Sequence, residues 1–225
     1  MSHTMAERKA RLTTPRAAAV AGIIFSVLLI ISLLLIRISV PGNLLAADEW
    51  LSRSSQIVTL ALNIVPFAGI AFLWFIGVVR DRVGEHEDRL FATVFLGSGL
   101  LFIAMLFASA ATAGGMIGMY GAYERLVIDS GIYAYSSAVT YQIMNIYAMR
   151  MAGVFMISTC TLSLRTDITP RWMAYLGIVL ALFLLLSITI FAWASLLFPL
   201  WVLMISVHIL ISNIKESKKE SHVPA

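Results

Sequence analysis

The chain has 225 residues, of which 60% are hydrophobic and 12% charged, with a formal net charge of +4. Charge is about half as frequent as in soluble domains, and six apolar stretches of about 20 residues with short links fill almost the whole length. No separate soluble domain fits, and the basic residues gather at the ends of apolar stretches rather than in a patch, which argues against nucleic acid as a partner.

Residues 1–16 form a basic N-terminal segment carrying Arg8, Lys9, Arg11 and Arg16. The apolar run that follows is too long for a signal-peptide core, so it reads as a retained first helix. The six-helix domain over residues 17–211 is expected to cross the bilayer at Ala17–Ile36, Ile57–Val79, Leu90–Ile117, Val139–Leu164, Trp172–Ala192 and Leu196–Ile211. Lipid offers no partner for backbone N–H and C=O groups, and the pattern lacks strand alternation, so each span is predicted to be a helix. A charged tail, 212–225, closes the chain.

Between the first two spans, Pro41-Gly42-Asn43 opens a linker in which Leu44–Leu51 is expected to lie as a short interfacial helix anchored by Trp50. Pro66 stands inside the second span and should break or bend it, freeing the Leu62 carbonyl. The turn Glu85-His86-Glu87-Asp88 lies among arginines and reads as a solvated, self-neutralising turn rather than a metal site. A run of small residues, Ala108 to Gly115, suits close helix packing in the third span. The linker Gly118–Ala138 is rich in tyrosine and reads as an aromatic belt. Trp193–Ser195 predicts a tight hairpin that makes the last two helices antiparallel neighbours, and Pro199 falls in the first turn of the last one, where its missing N–H costs nothing.

An even number of spans puts both termini on one side. Cytoplasmic termini place twelve basic residues inside (Arg8, Lys9, Arg11, Arg16, Arg80, Arg82, Arg89, Arg165, Arg171, Lys215, Lys218, Lys219) against Arg37, Arg53 and Arg125 outside. The positive-inside rule therefore predicts a multi-pass protein of the inner (cytoplasmic) membrane with both termini cytoplasmic.

Arg150 is the sole charge within any span, near the middle of the fourth. Placing it there costs about 2.5 to 3.5 kcal/mol on insertion scales, so a compensating group is expected. Its side chain leans toward the helix N-terminus, past Tyr147. Counting from the span ends brings Asn63, Pro66, Ser109, Thr112, Asn145, Ser187 and Thr189 to its depth. Arg150, Tyr147, Asn145, Asn63, Pro66 and Thr112 are thus the candidate ligand-binding residues. The other candidate partners for Arg150 are loop acids (Glu49, Glu124, Asp129), a partner subunit or a bound anion. Interior placement is expected, because lipid leaves five N–H donors unserved.

Other chemistry is thin. His208 has no second intramembrane histidine to complete a haem site, Cys160 has no disulfide partner, and no paired acids, nucleophile elbow or phosphate loop occurs. No cofactor or metal is called for, and the chain is not read as an enzyme.

Three stretches carry a resemblance: Arg16-Ala17-Ala18-Ala19-Val20-Ala21-Gly22, Val40-Pro41-Gly42 and Pro170-Arg171-Trp172-Met173-Ala174-Tyr175-Leu176-Gly177. Together they resemble uncharacterised six-span prokaryotic integral membrane proteins grouped as a domain of unknown function. The resemblance implies a six-helix fold and no activity. The sequence thus predicts an all-α membrane bundle with the lipid bilayer as its first partner. The leading functional reading is a small channel or transporter-like protein for an anionic or polar solute, with homo-oligomers open. The alternative is a non-transporting component that assembles with or regulates a partner complex. A polar cavity reaching Arg150 favours the first; a solid bundle favours the second.

Overall fold

The computed structural model describes residues 2–40, 47–83, 89–166, 169–186 and 193–220. Every regular element among them is helical: α1 (Ser2–Ser39), α2 (Ala47–Val83), α3 (Arg89–Ala122), the short α4 (Glu124–Asp129), α5 (Ile132–Tyr141), a π-helical segment (Gln142–Ala148), α6 (Met149–Thr166), α7 (Arg171–Leu186), a 3-10 turn (Ala194–Leu196) and α8 (Leu197–Glu220). The segments are long, apolar and free of strand alternation, so intrahelical hydrogen bonding is the way they satisfy their backbones in lipid.

Among the described residues five stretches are long and apolar enough to cross a membrane: Ala17–Ser39, Leu51–Arg80, Ala92–Ala122, Ile132–Arg165 and Ala194–Ile214. The molecule is thus a polytopic, all-helical bundle of the membrane type. The sixth apolar helix, α7, has 16 described residues, about 24 Å of helix against a hydrocarbon core about 30 Å thick.

Two local expectations change. Residues 47–51 form the first turns of α2, not a separate interfacial helix, because nothing between Ala47 and Gln56 stops a helix. Pro66 sits inside a helix that runs unbroken from Ala47 to Val83. The predicted break does not occur: Pro66 is exposed on α2 and the helix continues through it. Pro199 is the third residue of α8, within its first turn as expected.

Neighbouring helices follow a ring. α1 packs on α2, α2 on α3, α3 on the α5–π–α6 run, α6 on α7, and α8 returns to α1. The pairing of α7 with α8 that the hairpin predicted is slight, and α1 is the principal neighbour of α8. Small residues explain the choice. Ala18, Ala19 and Ser26 are buried on α1, and a Cβ at Gly22 would collide with Ser206 Oγ of α8 and the Phe75 ring. Beyond the ring, the Arg37 guanidinium carbon at the end of α1 lies 5.4 Å from the ring centroid of Trp193, just before α8.

The middle of the ring is filled by aromatic side chains. Phe25 lies 4.4 Å from Phe72, Phe102 4.7 Å from Phe198, Phe95 4.8 Å from Phe155 and Phe72 5.1 Å from Phe155, centroid to centroid. Such pairs contribute about 0.5–1.5 kcal/mol each beyond the area they bury. A second, smaller cluster of Leu51, Val58, Met116, Val127 and Tyr133 closes the opposite end from Arg165. Tyr133 belongs to this buried cluster, whereas Tyr123 and Tyr135 are exposed, so the tyrosine-rich linker is only partly a belt.

Candidate functional site

Arg150 opens onto the exterior of the bundle, not its interior. The turns around it explain why: Ala148, Met149, Ala152, Phe155 and Met156 are all buried and take up the inward arc of α6, which leaves the arc bearing Arg150 facing out. Arg150 has no hydrogen-bond or ion-pair partner among the described residues.

Interhelical register moves the expected polar neighbours away from it. Ser109 Oγ donates to the Thr140 carbonyl at 3.2 Å, and Phe95 stacks on Phe155. These two contacts pair the levels of α3 with those of the α5–π–α6 run. Ser109 therefore lies ten residues from the level of Arg150, roughly 15 Å along the axis. Thr112 is farther still. Leu62 meets the position of a Cβ at Gly114, 3.9 Å away, so Asn63 shares that distant level. Counting inward from span ends misplaced these groups because the fourth apolar stretch begins at Ile132, not Val139, and the second at Leu51, not Ile57.

The candidate side chains do not converge. Thr112 Oγ1 donates to the Ala108 carbonyl at 2.8 Å and Asn145 Nδ2 to the Tyr141 carbonyl at 3.2 Å, each within its own helix. Asn63 and Pro66 are exposed on α2, and Tyr147 is 56% exposed one turn from Arg150. Glu124 Oε1 accepts from Tyr120 Oη at 3.5 Å. Its helix packs through Val127 against Tyr133, and Tyr133 stands 17 residues from Arg150, roughly 25 Å away. That distance rules Glu124 out as the partner, and the backbone at Glu49 and Asp129 belongs to the same end. Ser187, Thr189 and the Glu85–Asp88 turn lie outside the described residues.

A cavity of about 40 Å³ lies elsewhere, at the Arg165 end, lined by Ala18, Phe75, Val79, Thr159, Cys160, Leu162, Ser163, Thr169, Ala174, Ile205 and Ile209. The hydroxyls of Ser163 and Thr169 bond to each other, and Thr159 Oγ1 donates to the Phe155 carbonyl at 2.8 Å. The space has room for a few waters, each of which needs about 10–15 Å³ on this scale. Among the described residues no group of His, Cys, Asp and Glu could hold a metal ion.

Sequence reasoning missed four features. One is the π segment just before Arg150, a type of distortion frequent at functional sites. The others are three buried polar atoms without a hydrogen-bond partner among the described residues, Thr140 Oγ1, Trp201 Nε1 and Ser206 Oγ. Gly177 and Gly22, which each let one of these groups approach, were the only signals available. Comparison with protein families, characterised proteins and solved structures returns no match.

Proposed function

We propose that this chain is a six-span protein of the cytoplasmic membrane, with both termini cytoplasmic, that acts as a non-transporting component and assembles laterally with a partner. The observation that carries this reading is a charged side chain displayed on the outside of a solidly packed bundle. At the level of Phe155, the axis is occupied by Phe72, Phe95, Phe155 and Phe198, all fully buried. A solute path to Arg150 would have to displace that packing, and the cavity beside Thr159 and Ser163 lies on the Arg165 side of it and is small. The transport reading draws no support from either feature. A partner-facing arginine fits both, because intramembrane charge is commonly retained where something pairs with it.

Two measurements test the reading together. Extraction from native membranes in mild detergent, followed by native electrophoresis, should show the chain migrating with a second polypeptide. The purified chain in liposomes should pass chloride, phosphate and small carboxylates no faster than empty vesicles. Anion flux that disappears in Arg150→Met would overturn the proposal in favour of transport.

A further inference from the structure

We infer that the partner seated at this face is a single membrane-spanning helix of a different protein, carrying an aspartate or glutamate level with Arg150. The inference rests on the assembly reading above. Its first support is the shape of the surface. α6 lies between α3 and α7 and packs on both, so Val154, Ile157, Thr161 and Leu164 remain only half-buried in a narrow strip. Arg150 stands at one end of the strip and exposed Arg165 at the other, a separation of roughly 22 Å along the helix. That length exceeds one leaflet of a core about 30 Å thick, so a helix can follow the whole strip whereas a lipid chain follows about two thirds of it.

Charge supplies the second support. The guanidinium carries five donors in a planar fork, which a carboxylate meets bidentately in an apolar setting. Nothing described within this chain does so. A second copy cannot do so either. The five apolar stretches and α7 contain no Asp or Glu, and a two-fold contact through this strip would bring arginine toward arginine. The acid must come from another sequence.

The test places the photo-cross-linker p-benzoylphenylalanine at Ile157 of the full chain in its native membranes. Irradiation is expected to give one protein adduct, whose cross-linked peptide, read by mass spectrometry, belongs to a membrane span containing Asp or Glu. Arg150→Met should lower the adduct about ten-fold or more, and Arg150→Lys should retain much of it. Changing the partner's acid to its amide should give the same loss in the unaltered chain, which keeps the result readable even where Arg150→Met misfolds. Exchanging the two charges, with Arg150→Glu and the partner's acid made arginine, should restore the adduct. Adducts with lipid alone, with a second copy, or with a span lacking an acid each overturn the inference. The assembly reading falls with it only where native electrophoresis also finds no second polypeptide.

Discussion

The Ser109 hydroxyl of α3 donates to the carbonyl of Thr140 at 3.2 Å, one residue before the Tyr141 cap of the π segment. This bond and the Phe95–Phe155 stack fix which turn of α3 faces which turn of the α5–π–α6 run. Between helices in lipid, such a bond contributes about 0.6 kcal/mol on average. We expect Ser109→Ala to lower the thermal unfolding midpoint in detergent by a few degrees, and Ser109→Thr to keep it. An unchanged midpoint in Ser109→Ala would show that packing alone sets the register.

Gly22 of α1 lies against Ser206 of α8. A Cβ at position 22 meets Ser206 Oγ and the Phe75 ring, so Gly22→Ala should destabilise the bundle by about 1–3 kcal/mol through overpacking. Ser206 Oγ has no hydrogen-bond partner, so Ser206→Ala alone should be neutral or stabilising. Ser206→Gly combined with Gly22→Ala should recover part of the loss. Denaturation of the unaltered chain, Gly22→Ala, Ser206→Gly and their combination in one detergent checks the cycle, and strict additivity would refute the contact.

Phe155 bridges Phe72, Phe95 and Phe198. Its truncation to Ala should cost about 3–5 kcal/mol, the range for deleting a large ring from a packed core. Phe67, 65% exposed on α2, is the comparison: Phe67→Ala should stay within about 0.5 kcal/mol. Equal losses at the two sites would mean that the ring cluster does not carry the stability assigned to it.

Orientation is open to labelling from either side. In a Cys160→Ala background, cysteines at Ser54 and Ser130 should react in intact cells with an impermeant thiol reagent, while one at Ser217 should not. Reaction at Ser217 from outside would reverse the proposed topology.

That the apolar stretches are helices was readable because lipid allows them little choice, whereas their number as spans was not, since α7 has only 16 described residues. The second helix, expected to break or bend at Pro66, runs on through it. What could not be read was which face of each helix turns inward. In water, apolar periodicity marks the buried face, but lipid tails are as apolar as a protein core, so that contrast vanishes. α3 is apolar around its whole circumference and gives no sign that Phe102 is buried while Leu101 is exposed. Arg150 was identified as unusual from its charge alone. Its outward placement depends on the inward arc of Ala148, Ala152 and Phe155, and on a register that counting from span ends did not supply. The preference of α8 for α1 over α7 was encoded in Gly22, whose role appears only once Ser206 lies against it.

Trp201 is 2% exposed, lies 6.5 Å from Phe198 and has an indole N–H with no acceptor. Trp74, Trp172 and Trp193 are all exposed at the periphery. The chain therefore contains its own optical gauge of the interior. Emission from Trp201 is sheltered from iodide in the aqueous phase and from brominated acyl chains in the bilayer, while the peripheral indoles are open to one or the other. In a Trp50→Phe background, the light that survives both quenchers comes from the centre of the bundle, and its loss on heating marks the moment the rings around Phe198 part.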